Sequence, residues 1–208
     1  MADAATYAEQ GYRQGVAAGD GVAIRKNLLE RARVYRAQNQ LARSAEILSE
    51  LDKRLHATVP PEHIYFGYLA SELAQNALVS GDPIKARQLA NQAIEVPQGW
   101  QKKSHGSSYY EGRFLLQRSA ILLKLNQPNE ALADASRAVA IFQQVSISGK
   151  SSCDVGRAYL AQGYALQQQG RRPESLAAFR LGAQQLENAL GADAAEFRVA
   201  QQLARDNT

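Results

Sequence analysis

The residues that could do chemistry are few and dispersed. Three histidines, His56, His63 and His105, stand at no metal-ligand spacing, and no HExxH pair is present. His56 and His63 flank Pro60-Pro61, which reads as a turn with solvated histidines at its edges. The single cysteine, Cys153, sits among Ser151, Ser152 and Asp154, with no cation nearer than Lys150 and Arg157 to favour its thiolate. A lone cysteine also rules out an intramolecular disulfide and a multi-thiolate zinc site. Gly149-Lys150-Ser151 has the last three residues of a phosphate-binding loop. The motif needs a glycine five residues before Gly149, where Gln144 stands, and a preceding strand that the sequence does not offer. Acidic residues are scattered singly, without the facing carboxylates of glycoside or di-metal chemistry. These patterns give no catalytic residue, metal or cofactor, and the expected class is non-enzymatic.

Binding chemistry is therefore the alternative. The chain has 208 residues, 45% hydrophobic and 21% charged, a composition that builds a globular core. Its 24 basic and 20 acidic residues leave a net charge of only +4, too small a surplus to call for nucleic acid. Apolar runs such as Ile121-Leu122-Leu123 are soon broken by Lys124 and Gln127, far short of the roughly 20 residues that a membrane span needs. The start, Met1-Ala2-Asp3-Ala4-Ala5, lacks a basic segment followed by an apolar one. The expectations are no membrane insertion and a cytoplasmic location.

Apolar residues recur at helical spacing, and alternating strand-like runs are missing, so the fold expected is all-α. Ten helices are expected, at 4–18, 22–38, 41–57, 62–80, 83–96, 107–125, 128–146, 152–169, 172–189 and 193–206. Short breakers join them, including Ser80-Gly81-Asp82-Pro83, Asn126-Gln127-Pro128 and Gly170-Arg171-Arg172-Pro173. Gly or Asn can close a helix in the left-handed conformation, and Pro fits the first turn of the next. The turns at Asn39, Gly81, Asn126 and Gly170 stand 42, 45 and 44 residues apart, the mark of a helical repeat. Small residues return at fixed steps after each turn, as in Ala86, Ala90, Ala93 and Ala131, Ala135, Ala138. They let the two helices of a hairpin approach closely.

The stretch from Tyr159 through Gly163, Tyr164 and Leu166 to Gly170, Ser175 and Phe179 resembles the tetratricopeptide repeat. Ser119, Asn126, Ala131 and Ala138, then Ala74, Gly81, Ala86 and Ala93, and more loosely Ala32, Tyr35 and Ser44 repeat the likeness. The period exceeds the family's usual value of about 34 and is similar to that of long-helix members such as kinesin light chains and the sensor domains of some bacterial regulators. The resemblance implies a right-handed superhelical stack of antiparallel hairpins, a tetratricopeptide-like α-solenoid. One domain is expected over 1–208. Residues 1–21 would form an N-terminal capping helix, 22–189 four hairpins, and 190–208 a C-terminal capping helix.

In that family the first helix of each hairpin lines an inner groove that takes a peptide or a helix. The groove positions fall on Lys26 and Arg33, on Tyr68, Glu72 and Gln75, on Arg113 and Gln117, and on Arg157, Tyr164 and Gln168. The carboxylate clamp of chaperone-binding members is not reproduced, since Leu29 and Arg33 occupy its first-hairpin places. The connection Pro97–Ser108 reads as the longest loop. It would set Trp100, Lys102 and Lys103, with Tyr109 and Tyr110, at one rim of the groove. The function expected is a scaffold or adaptor that binds another protein or a peptide segment, with a ligand- or peptide-sensing regulatory module as the alternative. The oligomeric state is left open by the residues.

Overall fold

The computed structural model describes residues 2–104, 109–146 and 152–205. Among the described residues all regular structure is helical. The elements are α1 (Ala2–Ala18), α2 (Gly21–Ala37), α3 (Leu41–Thr58), α4 (Ile64–Val79), α5 (Pro83–Ser104), α6 (Tyr109–Lys124), α7 (Pro128–Val145), α8 (Cys153–Gln168), α9 (Arg172–Leu190) and α10 (Ala195–Arg205). They fall into two compact units, Met1–Ser104 and His105–Thr208, described one at a time.

The turns form for local reasons. Asn39 and Asn126 have φ of 59° and 58°, and Gly81 and Gly170 of 82° and 75°, the left-handed geometry anticipated at helix C-termini. Each is followed by an amide that reaches back five residues: Gln40 to the Tyr35 carbonyl at 2.8 Å, Asp82 to Ala77 at 2.9 Å, Gln127 to Leu122 at 2.9 Å and Arg171 to Leu166 at 3.0 Å. This satisfies carbonyls that would otherwise end the helix unpaired. At the other end of a helix, the Asp20 carboxylate caps α2 by accepting from the amides of Val22 and Ala23 at 2.9 and 3.0 Å.

The unit Met1–Ser104 contains the hairpins α2/α3 and α4/α5, with α1 packed on α2, and α2 also touches α4. Its core gathers Leu28, Leu29, Ala32, Leu48, Leu51 and Leu55. The unit His105–Thr208 contains α6/α7 and α8/α9, with α6 touching α8 and α10 packed on α9. Phe114, Phe142 and Phe179 are its largest fully buried side chains.

A fixed register of small residues sets the hairpin spacing. Ala32 and Ser44, Ser119 and Ala131, and Gly163 and Ser175 are each separated by 12 residues, and in each pair the serine hydroxyl donates to the carbonyl of the other residue, at 2.8, 2.9 and 2.9 Å. A larger side chain would push the helices apart. At Gly163 even a Cβ would lie 2.5 Å from the Phe179 ring.

One expected boundary is corrected. Helix α5 runs through Pro97 to Ser104, where a loop beginning at Pro97 was expected. A proline within a helix removes one amide donor, which makes Pro97-Gln98-Gly99 look like a stop. The residues beyond, Gln101, Lys102 and Lys103, are strong helix formers, and the helix continues.

Candidate partner-binding faces

In the first unit, seven-residue spacing puts Lys26 and Arg33 on one face of α2, and steps of four and three put Tyr68, Glu72 and Gln75 on one face of α4. The structure joins two of them directly. Arg33 Nε donates to Glu72 Oε1 at 2.7 Å, and its Nη2 lies 2.6 Å from the same oxygen. Arg36, one turn further along α2, brings Nη1 to 2.9 Å from Glu72 Oε2 and donates to Asn76 Oδ1 at 3.3 Å. Asn76 Nδ2 donates to Ser44 Oγ at 2.9 Å, and Ser44 ties the network to the Ala32 carbonyl. The result is one polar cluster that spans α2, α3 and α4.

Glu72 departs from its expected role. Its side chain is 1% exposed, so it cannot itself face a partner. A buried carboxylate needs compensating charge, and the two arginines supply it here: Arg33 donates to Oε1, while Oε2 has the Arg36 charge at 2.9 Å but no hydrogen bond. What Glu72 presents to the surface is the pair of guanidiniums, 29% exposed at Arg33 and 17% at Arg36. Burial alone would lower the pKa of Arg33, but the attraction and hydrogen bond of Glu72, and then of Glu30 at 2.7 Å, leave it raised. Beside this cluster Lys26 is exposed and Tyr68 and Gln75 are half-buried. Tyr68 leans on Tyr65 with centroids 5.8 Å apart, and Arg25 lies 5.1 Å above the Tyr65 ring, a cation–π distance.

In the second unit, Arg113 and Gln117 are half-buried on α6. The Tyr109 hydroxyl donates to Asp154 Oδ2 on α8 at 2.9 Å, and its ring packs against Tyr110 and Phe142 at 5.7 and 5.6 Å. Burial, then the hydrogen bond to Asp154, raises the Tyr109 pKa. Tyr164 is 40% exposed, its ring edge-on to Phe179 at 5.3 Å. Two expected groove residues are taken up internally. Arg157 makes a two-pronged pair with Glu196 of α10, Nε to Oε2 at 2.9 Å and Nη2 to Oε1 at 2.8 Å, and reaches Asp154 at 3.2 Å. Gln168 Nε2 donates to Asn126 Oδ1 at 3.0 Å and to the Leu123 carbonyl at 3.3 Å, stapling the end of α8 to the α6/α7 turn. Trp100, Lys102 and Lys103 belong to helix α5 rather than to a rim loop, and their side chains lie outside the described residues.

Sequence reasoning missed Arg36 and Asn76, and also the fork of Arg118 on Asp134, 2.7 Å at each prong. The signal for Arg36 was present, since it follows Arg33 by one helical step. Also missed was a cleft of about 430 Å³ between α1 and α2, lined in part by Gln10, Val34 and Tyr35, where Glu9 pairs with Arg13 at 2.9 Å and with Arg31 at 3.0 Å.

The remaining chemical candidates have structural settings. His63 caps α4, its Nδ1 accepting from the Tyr65 amide at 3.3 Å. Cys153 is half-buried and free. His105 and Gly149-Lys150-Ser151 lie outside the described residues. Among the described residues no group of three His, Cys, Asp or Glu side chains could hold a metal ion, and no helix is long and apolar enough to cross a membrane.

No family model and no curated protein matches this sequence. Solved structures do. BtubC (BKLC) from P. vanneervenii is similar over 99% of this chain and 84% of its own, with a TM-score of 0.70 at 13% identity. A kinesin light chain-like protein of P. anserina, made of nearly identical TPR-like repeats, is similar over 88% of this chain and 84% of its own, with a TM-score of 0.66 at 18% identity. A signal-transduction ATPase with a tetratricopeptide repeat sensor, from Pyrococcus horikoshii, is similar over 88% of this chain and 26% of its own, with a TM-score of 0.62 at 14% identity. With the ten helices among the described residues, the left-handed turns and the 12-residue hairpin register already in place, these likenesses make the chain's fold that of a tetratricopeptide-like α-solenoid.

Proposed function

We propose that the chain is a non-enzymatic scaffold that holds segments of another protein on the groove-side faces of its first helices, each unit taken by itself: Lys26, Arg33, Tyr68 and Gln75 on α2 and α4 of the first, and Arg113, Gln117 and Tyr164 on α6 and α8 of the second. The observation that supports this best is the buried Glu72. A binding surface gains affinity when its side chains are fixed before the partner arrives. Glu72 fixes two guanidiniums from below while Lys26 and Tyr68 flank them, giving a face of cations, aromatic edges and amide groups suited to a peptide backbone and its side chains. The fold likeness to repeat proteins is consistent with this role.

A second reading, a ligand-sensing module, draws on the α1–α2 cleft, whose volume falls in the range of about 300–1,000 Å³ that small-molecule sites occupy. Thermal stabilisation by a small molecule, lost on Glu9→Ala, would favour it.

The scaffold reading is tested by capture from the source organism's lysate with the wild-type chain and a Lys26→Ala/Tyr68→Ala variant. Both substitutions leave the Glu72 cluster intact. The expected result is a protein retained by the wild type and lost by the variant at equal helicity. Equal retention by both would remove the α2–α4 face from the proposal.

A further inference from the structure

The cleft of about 430 Å³ between α1 and α2 is lined by more positive than negative charge among its described residues. Glu9 of α1 divides its carboxylate between two arginines. Arg13 Nε donates to Oε1 at 2.9 Å, and Arg31 Nε of α2 lies 3.0 Å from Oε2. The neighbouring carboxylate of Glu50 does not make up the difference, because Arg54 Nε holds it at 2.9 Å and the Tyr12 hydroxyl at 2.8 Å. Arg31 Nε is buried without a hydrogen bond. Among the described residues no acceptor takes one from the terminal nitrogens of Arg31 or Arg13.

Arg31 is nevertheless held in place. Its side chain is 18% exposed, and its guanidinium lies 4.6 Å from the centroid of the Tyr12 ring, a cation–π distance. A guanidinium fixed by a ring face and one carboxylate keeps most of its five donors for another acceptor, and fixing it beforehand lowers the cost of binding one. Val34 and Tyr35, one helical turn beyond Arg31, are half-buried and give the same cleft an apolar wall. A second hollow of about 250 Å³, lined by Ala4, Arg33, Val34 and Ala37, shares Val34 with it. The charge of Arg33 is already met there by Glu72 and Glu30. The cleft is thus cationic at Arg13 and Arg31 and apolar towards Val34.

Resting on the reading of this cleft as a small-molecule site, we infer that its ligand is an organic carboxylate. The carboxyl group pairs with Arg31 and Arg13, and an aromatic or branched apolar body lies along Val34 and Tyr35. A carboxylate supplies the one negative charge that Glu9 leaves unmatched, and its two oxygens accept in parallel from a planar guanidinium. A dianionic phosphate group would set two negative charges beside Glu9 where one is wanted. A neutral ligand would cover the surplus charge and leave it unpaired.

The test is titration of the ¹⁵N-labelled full chain, followed by NMR, with aromatic and branched carboxylates that include 3-phenylpropanoate and 4-methylpentanoate. Each acid is run beside its primary carboxamide, and phenyl phosphate serves as the dianion. The acids are expected to give saturable shifts centred on the amides of α1 and of residues 31–37, with the carboxamides binding at least about tenfold more weakly. Arg31→Gln should weaken the acids at least about tenfold and leave the carboxamides where they were. Arg13, whose side chain is 77% exposed, can be replaced without disturbing the fold, and Arg13→Gln should weaken the acids by about threefold or more. Circular dichroism reports folding; if Arg31→Gln loses helicity, Arg13→Gln decides. Carboxamides that move the same amides as tightly as the acids, phenyl phosphate binding more tightly than the acids, or acid binding unchanged in the folded variants each overturn the carboxylate assignment while the cleft stays a small-molecule site. Acids and carboxamides that move no amide of α1 or of residues 31–37 overturn both.

Discussion

Replacing Glu72 by alanine removes the one carboxylate that two guanidiniums share. In the wild type Glu72 is enclosed between α2 and α4 with Arg33 at 2.6 Å and Arg36 at 2.9 Å. In the variant the arginines face one another across a cavity. Breaking a buried pair by removing one partner costs about 3–5 kcal/mol. Both guanidiniums retain some contact with water, so they can partly rehydrate, and the lower end of that range, about 3 kcal/mol, is expected. For a unit of about a hundred residues each kcal/mol moves the midpoint by about 4–8 °C, so thermal unfolding of the α1–α5 unit should fall by at least about 12 °C. Glu72→Gln keeps the shape and an acceptor oxygen and should lose less. A double-mutant cycle with Arg36→Ala isolates the pair. The α2–α4 coupling should be at least about 1 kcal/mol, above what exposed pairs deliver. A Glu72→Ala protein that melts within about 2 °C of wild type, or a cycle with no coupling, would refute the claim that Glu72 organises this face.

Three further outcomes follow from the geometry. Gly163→Ala places a methyl 2.5 Å from the Phe179 ring and should cost about 1–3 kcal/mol by overpacking, read as a lower denaturant midpoint for the α6–α10 unit. Ser175→Ala removes the hydroxyl that bonds the Gly163 carbonyl at 2.9 Å and should cost about 0.5–1.5 kcal/mol in the same assay. Burial, and then the nearby Arg25, lower the pKa of His63. The folded protein thus binds its proton less readily than the unfolded chain, so the contribution of His63 is fully present above the ordinary histidine range and is lost as pH falls through the lowered value. Protonation also turns Nδ1 from acceptor to donor and breaks the cap on Tyr65. His63→Asn keeps a capping oxygen and should flatten stability between pH 5 and 7 (about the range in which histidine titrates); an unchanged slope would show that His63 is not the group responsible.

How much the residues revealed depends on the range of the interaction. The turns at Asn39, Gly81, Asn126 and Gly170 were legible because left-handed closure is a property of one residue and its neighbours. The period followed from them, and with it the hairpins, whereas the 12-residue register depends on serine hydroxyls meeting carbonyls of the partner helix and was seen only in the structure. The α5 boundary was misread because Pro97 is a local stop signal that the rest of the helix outweighs. Partners were not legible. Arg33 and Glu72 lie 39 residues apart, as do Arg157 and Glu196, and nothing local says which arginine will be enclosed by a neighbouring helix and which will face outward. The alignment to a repeat places Glu72, Arg157 and Gln168 at groove positions, whereas the structure spends their polar groups on holding helices to one another.

The most direct test of the scaffold reading is hydroxyl-radical footprinting of the chain alone and with its captured partner. Tyr68 and Tyr164 stand on the first-helix faces, while Ile84 of α5 and Leu181 of α9 are exposed on second helices. Binding as proposed should slow oxidation of Tyr68, Tyr164 or both by severalfold and leave Ile84 and Leu181 unchanged. Protection of Ile84 and Leu181 with both tyrosines unchanged would contradict it.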